Sequence, residues 1–344
     1  MKIPIPLFLC FTWGILGVFA SESGDSLKES LKFLAEKRGI LVGAAVAAKP
    51  LKADPLYAGI LAREFNILTP ENAMKFENIH PEPERYDFAD SDAIVSFALD
   101  HHMKVRGHTL VWHNQIPLWL MTKDYTRDEL VKILQGHISE VVTRYKGKVF
   151  AWDVVNEAIN DDGTLRRSIW HDGIGPEYLE LAFKWAHEAD PDVMLFYNDY
   201  NGEGLNGKSD AVYDLVRGLL AKGIPIHGVG LQMHLNAGWY PDPADIDGNI
   251  KRLMDLGLQV HITEMDVRLK EPLSKEKLEE QAKVYREIME ICLRRRCQAY
   301  ITWGFTDRYS WIPHYFFGWN DGLIFDRSYQ PKPAYLALIE ALKN

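Results

Sequence analysis

The chain has 344 residues, 47% of them hydrophobic and 25% charged, with a formal net charge of −9. That composition describes an ordinary globular domain with a large core. An acidic balance whose one basic cluster is Arg294-Arg295-Arg296 argues against nucleic acid or an anionic membrane surface as partner, and leaves room for a neutral substrate.

The first 20 residues stand apart. Met1-Lys2 precede an apolar run from Ile3 to Ala20, and polar Ser21-Glu22-Ser23 follows. One basic residue, a greasy middle and small residues at the end form the pattern of a secretory signal peptide cleaved after Ala20, so a secreted (extracellular or periplasmic) protein is expected. A retained membrane anchor is the alternative, because the run almost matches a bilayer in length. Loss of residues 1–20 removes Cys10 and leaves Cys292 and Cys297. In an oxidising compartment an isolated pair this close reads as a small disulfide loop. His and Cys never gather at zinc-ligand spacing, so neither metal nor other cofactor is expected.

After a short lead helix near Ser26–Lys37, two textures alternate eight times. Apolar, β-branched runs predict strands over Ile40–Ala47, Phe65–Asn72, Lys104–Trp112, Phe150–Glu157, Val193–Tyr200, Gly228–Leu235, Gln259–Asp266 and Ala299–Asp307. Helices are predicted over Leu56–Glu64, Asp92–His101, Arg127–Tyr145, Pro176–Glu188, Ser209–Lys222, Pro243–Leu256, Lys275–Leu293 and Lys332–Leu342, with acidic first turns such as Thr126-Arg127-Asp128-Glu129. Strands alternating with helices imply parallel βαβ units. Eight units imply one closed (β/α)8 barrel, a TIM barrel, spanning residues 21–344 as a single catalytic domain. An open doubly wound sheet would carry a glycine-rich turn after its first strand, where this chain has Lys49-Pro50-Leu51.

In such a barrel the active site lies where strands end. The polar and aromatic residues gather there: Glu71, Asn72 and Lys75 after the second strand; His108, Trp112 and His113 on the third; Asn156 and Glu157 on the fourth; Tyr197, Asn198, Asp199 and Tyr200 on the fifth; Gln232 and His234 on the sixth; Glu264 and Asp266 on the seventh; Trp303 on the eighth, with Trp311 in its loop. Two apolar strands that each deliver a Glu supply the carboxyl pair that glycoside hydrolysis requires. Amide and imidazole donors and flat aromatic faces suit a sugar cleft. Tyr197 and Tyr200 are candidate subsite walls, and Asp199 and Asp266 supports for neighbouring donors.

The stretches Pro70–Lys75, Gly107–His113, Trp152–Glu157, Ile262–Asp266 and Trp303–Asp307 resemble, in order, the successive motifs of glycoside hydrolase family 10, the endo-1,4-beta-xylanases. The resemblance runs from about Ile40 to Leu342, with a small departure at Glu84, where relatives commonly have glycine. It implies a retaining mechanism on xylan and xylo-oligosaccharides, with Glu157 as acid/base and Glu264 as nucleophile, about 5 Å apart, and a higher pKa at Glu157. It further implies that Asn156 binds the 2-hydroxyl at the cleavage site. His234 would bond Glu264 with Asp266 behind it, and Gln232 and His113 would complete that pocket. Asn72, Lys75 and His108 would hold the next sugar, and Trp112, Trp303 and Trp311 would wall the site. Trp303 and Trp311 would crowd the hydroxymethyl group that glucose carries and xylose lacks. The long aromatic loop Ser310–Asp321 would widen or cover the cleft. A monomer is expected. A related retaining beta-1,4-glucanase or mannanase, or a catalytically silent polysaccharide-binding barrel, are the alternatives.

Overall fold

The computed structural model describes residues 30–344; the signal peptide expected over residues 1–20 lies outside the described residues, as does the start of the expected lead helix. Eight parallel strands form the sheet: β1 (Leu41–Val46), β2 (Ile67–Pro70), β3 (Lys104–Val111), β4 (Ala151–Asn156), β5 (Met194–Asp199), β6 (Gly228–Leu231), β7 (Gln259–Lys270) and β8 (Ala299–Thr302). Neighbours in sequence pair in order, β1 pairs with β8, and β7 pairs with β8 through His261↔Ala299, which closes the ring. The closed (β/α)8 barrel expected from the alternation is thereby the fold. Among the described residues nine helices of eight residues or more surround it: α1 (Leu31–Arg38), α2 (Pro55–Glu64), α3 (Ala89–Asp100), α4 (Arg127–Arg144), α5 (Tyr178–Ala189), α6 (Gly207–Ala221), α7 (Pro243–Asp255), α8 (Lys275–Arg295) and α9 (Pro333–Lys343).

Local chemistry sets where these helices begin. Thr126 and Glu129 form a reciprocal capping box that starts α4, and the Ser274 hydroxyl accepts from Lys277 N to start α8. Their apolar faces bury against the outside of the sheet, where Trp152 and Tyr145 meet at 6.4 Å between ring centroids. The inside of the barrel is filled in layers. At the base Ile67, Ala299 and Ile301 pack with Leu41 and Phe150. Above them lies a charged layer in which the Arg106 guanidinium grips both oxygens of Asp153 and donates to His261 Nδ1 at 2.8 Å. His261 therefore carries its proton on Nε2, which faces Gln298 Oε1 at 3.1 Å. Burial and the Arg106 charge push its pKa down to about 3.

Several boundaries differ from the sequence reading. The sixth strand ends at Leu231, because Met233 takes a left-handed backbone (φ 63) and gives its N–H to Glu203 at 3.1 Å; the chain pairs again over His234–Asn236, against Asp266–Arg268 of β7. That second pairing, with Trp319–Asn320 on the other side, carries β7 beyond the rim to Lys270. The eighth strand stops at Thr302, short of Asp307. Short helices also occupy Ala48–Ala53, Phe76–Ile79, Leu118–Met121, Ile169–Ile174 and Ile312–Tyr315, segments read from sequence as loop. Single turns present too few residues for a period to register.

The disulfide loop expected between Cys292 and Cys297 is not formed: both are free, buried thiols. Arg296 ends α8 in a left-handed conformation (φ 61), and Cys297 N donates back to Cys292 O at 2.9 Å, so backbone hydrogen bonding already closes this turn. The side chains pack as small apolar groups, and burial pushes the Cys292 thiol well above its ordinary pKa. Among the described residues no helix is long and apolar enough to cross a membrane.

Gly107 on β3 allows β4 to pack closely, since a Cβ there would lie 2.2 Å from Trp152 Cε3, and Trp152 is fully buried. Gly107→Ala is expected to cost about 2–3 kcal/mol of stability, as overpacking of a dense core does. A urea titration checks this: the midpoint falls at unchanged slope, whereas an unmoved midpoint would mean that Trp152 yields freely.

Candidate active site

Asn156 closes β4, and Glu157 follows with a left-handed backbone (φ 57), uncommon for a residue with a Cβ. The turn is pinned on both sides: Glu157 N donates to Asn198 O at 2.9 Å, and Arg166 Nε donates to Glu157 O at 2.8 Å. Three N–H donors then fix the carboxyl. Trp112 Nε1 reaches Oε2 at 2.8 Å, while Gln232 Nε2 and Asn156 Nδ2 reach Oε1 at 3.0 and 3.2 Å.

Glu264 stands in a different environment. It is 4% exposed on β7, with Oε1 accepting from Asn198 Nδ2 at 2.7 Å and Oε2 facing His234 Nε2 at 3.1 Å. The other ring nitrogen of His234 lies 2.9 Å from Asp266 Oδ2, which also accepts from Trp311 Nε1 at 2.8 Å. An imidazole between two carboxylates donates from both nitrogens and is therefore a cation. Burial alone would lower its pKa, but the Asp266 charge and the two hydrogen bonds outweigh burial and raise it to about 10. Burial would likewise raise Glu264; the His234 hydrogen bond and the fields of His108 and His234 reverse this and hold it below the ordinary carboxylate value.

One amide ties the two acids together. Asn198 Nδ2 also donates to Asn156 Oδ1 at 2.9 Å, and its own Oδ1 accepts from Thr263 Oγ1 at 2.7 Å. Asn156 is thereby oriented with its NH2 toward Glu157.

The facing wall comes from β2, β3 and β8. Lys75, 6% exposed, donates to Asn72 Oδ1 at 2.9 Å and lies over the rings of Trp112 and Trp303 at 5.0 and 5.6 Å. Burial lowers its pKa against the fields of Glu264, Glu71 and Glu157, and burial raises that of Glu71. His108 Nδ1 is held by Asp153 Oδ2 at 2.9 Å, and the ring stands edge-on to Trp303 at 5.1 Å. A single cleft of about 510 Å3 is lined by Glu71, Asn72, Lys75, His108, Trp112, Asn156, Glu157, Tyr200, Gln232, His234, Trp303 and Trp311. Glu264 and Asp266 lie beneath its floor.

Two residues fall elsewhere. His113 was expected in the pocket beside Glu264; it sits instead behind Glu157, with Nδ1 3.9 Å from Oε2, in a crevice shared with Arg166 and Trp170. β3 ends at Val111, Trp112 fills the cleft position, and the next side chain points the other way. Tyr197 is fully buried and donates to Asp199 Oδ2, so it walls no subsite. Asp199 also accepts from Tyr200 N at 2.9 Å and meets Lys208 at 3.0 Å, a supporting role; burial raises its pKa to about 7. The sequence reading gave no role to Asn198, Arg166, Glu203 or Arg268. Asn198 alone carried a signal, a polar residue at a strand end. Phe316 and Tyr315, from the expected aromatic loop, also line the cleft.

The sequence pattern of "Glycosyl hydrolase family 10" matches residues 30–341. The chain belongs to that family. As a family 10 glycoside hydrolase it is similar to endo-1,4-beta-xylanase B of Thermotoga neapolitana, 46% identical over 346 residues, a match covering 99% of this chain and 98% of the relative. A beta-1,4-xylanase of Dictyoglomus thermophilum is 46% identical over 304 residues, 83% of this chain and 84% of that one. The crystal structure of xylanase 10B from Thermotoga petrophila in complex with xylobiose superposes with a TM-score of 0.89 at 46% identity, covering 91% of this chain and 97% of that chain.

The pairing of His234 with two carboxylates has a pH signature. Its folded pKa of about 10 lies above the ordinary 6.5, so the stabilisation it brings is complete below about pH 6.5 and is lost as pH rises toward about 10. Thermal unfolding of wild type beside His234→Gln across pH 6–10 checks this: the gap in Tm narrows as pH rises. A gap that is constant or widens contradicts a charged His234.

Proposed function

We propose that this chain is an endo-1,4-beta-xylanase that cleaves xylan with retention of anomeric configuration, Glu264 acting as nucleophile and Glu157 as acid/base. The observation that carries the assignment is the contrast between the two acids at the ends of β4 and β7. Glu264 is buried against a cationic His234 that keeps it ionised, as an attacking carboxylate must be. Glu157 borders the open cleft, and its carboxyl accepts from neutral donors, the N–H groups of Trp112, Gln232 and Asn156.

In the first step Glu264 Oε attacks the anomeric carbon while protonated Glu157 gives its proton to the departing glycosidic oxygen, leaving a glycosyl ester on Glu264. In the second, Glu157, now a carboxylate, takes a proton from water as its oxygen attacks the same carbon, and Glu264 leaves. Asn156, oriented by Asn198, presents its amide to the sugar hydroxyl next to the reacting centre, and its hydrogen bond strengthens as charge develops. Asn72, Lys75 and His108 hold the neighbouring sugar, with Trp112, Trp303 and Trp311 as walls. Trp303 and Trp311 both pack edge-on to His234, at 6.3 and 4.9 Å, which leaves little freedom to admit a hydroxymethyl group at the reacting sugar. Relatives named as xylanases over nearly the full chain, and a solved neighbour holding xylobiose, support xylan as the substrate. Secretion through the leader fits a polymer that cannot enter a cell.

The test is hydrolysis of soluble arabinoxylan by wild type, Glu157→Ala and Glu264→Ala, each with and without azide. Wild type is expected to release short xylo-oligosaccharides, and each variant to lose about 10³-fold or more. Azide should restore turnover in both, giving a beta-glycosyl azide from Glu157→Ala and an alpha-glycosyl azide from Glu264→Ala. The same anomer from both would overturn the roles, and a wild type that leaves xylan intact while cutting glucan or mannan would overturn the substrate.

A further inference from the structure

Beyond the barrel rim, β7 continues through Glu264, Asp266 and Arg268, three side chains spaced by two residues and so on one face of the strand. The first two serve the reacting centre. Arg268 lies farther out, where it lines both the main cleft and an adjoining pocket of about 320 Å3 that also contains Asn201 and Trp239. Its guanidinium is stacked on Phe316, 4.3 Å from the ring centroid, and approaches Trp319 at 5.5 Å. Among the described residues it makes no hydrogen bond or ion pair, whereas the other arginines near acids are taken: Arg252 by Asp210, Arg294 and Arg295 by Asp247.

A partly buried guanidinium with open donors, held flat by aromatic rings, is built to meet a planar anion through its free edge. Nearby acids do not fill that need. In the adjoining pocket Asp161 is bonded by Lys208 at 3.2 Å, and Glu203 accepts backbone N–H groups of Asn201 and Met233 at 3.1 Å each. Asp266 is occupied by His234 and Trp311. The lysine of the cleft, Lys75, is bound to Asn72 and enclosed by two indoles, and His234 is held between Glu264 and Asp266. Arg268 is thus the cleft cation with unused hydrogen-bonding capacity, beside a pocket that opens off the path of the polymer.

We propose that Arg268 recognises the carboxylate of a uronic acid branch on the xylan chain, with the branch sugar seated in the adjoining pocket. The unbranched xylan backbone carries no charge, so a carboxylate at this point has to come from a substituent. The proposal rests on the xylanase reading and adds to it a preference: a charged branch is recognised, not merely tolerated.

The test uses three substrates: linear xylohexaose, a glucuronic-acid-branched xylo-oligosaccharide, and the same oligosaccharide with its carboxyl reduced to the alcohol. The readout is the ratio of kcat/KM for the acidic over the reduced branch, which cancels any loss common to both. In wild type this ratio is expected to be about tenfold, the worth of one charge-assisted pair. In Arg268→Met, whose unbranched stem keeps the stacking on Phe316, it should fall to about one. In Arg268→Lys it should fall between, since a point charge lacks the fork. A wild-type ratio near one, or an Arg268→Met ratio equal to wild type, would overturn the carboxylate site while hydrolysis of xylohexaose left the xylanase reading standing. Failure of wild type to cut xylohexaose would overturn both.

Discussion

The buried pair of Arg106 and Asp153 is the constraint from which the floor of the cleft is built. Both side chains are essentially inaccessible, and taking two charges out of water costs several kcal/mol per ion, recovered only with full hydrogen bonding. Here every guanidinium nitrogen has a partner: Nε and Nη2 donate to the two oxygens of Asp153, one of which also faces His108 Nδ1, and Nη1 donates to a neutral His261. Burial would raise Asp153, but the Arg106 charge and the His108 hydrogen bond hold it below its ordinary value. An apolar filling of the same volume would serve the barrel as well. What it could not do is orient His108, whose Nδ1 is committed downward to Asp153 while the ring stands against Trp303 and within 4.0 Å of Glu264.

From that layer upward the charges alternate. Arg106 is positive, Asp153 negative, Glu264 negative but faced by cationic His234, and Asp266 negative on the far side of that imidazole. Each acid below the cleft floor therefore has a cation or a set of N–H groups facing it. Glu157 sits outside this alternation, at the open surface, bonded to an indole and two amides. The two carboxyls that look alike in sequence are thus given opposite surroundings by what their neighbours can donate.

Much of this was legible in the sequence, for a physical reason. A parallel barrel buries its strands on both faces, so the strands read as apolar runs and the first polar residue at the end of each run falls at the rim. Glu157, Glu264, Asn156, Gln232 and His108 were found in that way. The failures share another cause: they concern which way a side chain turns once the strand has ended. His113 is one residue past Trp112 and so faces away from the cleft; Tyr197 points outward to the helical layer while Asn198 points into the barrel; Met233 breaks the sixth strand because a buried Glu203, thirty residues earlier in the chain, takes its N–H. The cysteine pair was misread because four intervening residues suit a disulfide loop and a hydrogen-bonded helix cap equally well, and the backbone conformation of Arg296 decides between them.

The last loop of the barrel shows why a long excursion can still act as a fixed wall. It runs from Ser310 to Asp321 and carries Trp311, Tyr315 and Phe316 into the cleft, yet its return is clamped from below. Lys332 Nζ, buried, bonds Asp307 at 2.8 Å and Asp321 O at 2.6 Å; Gln281 Nε2 bonds Asp321 O at 2.6 Å and Val267 O at 2.7 Å; Tyr285 OH bonds Gly322 O at 2.8 Å. These side chains come from α8 and from the N-cap of α9, outside the barrel, so the helical layer holds the loop's base to β7. At its other end Trp311 is bonded to Asp266, which is bonded to His234. A wall anchored at both ends can exclude a substituent by contact, which a freely moving loop cannot. The indole that walls the cleft is therefore tied by the same hydrogen bond to the carboxylate that sets the charge beside Glu264, so the shape of the cleft and the charge at its floor rest on one interaction.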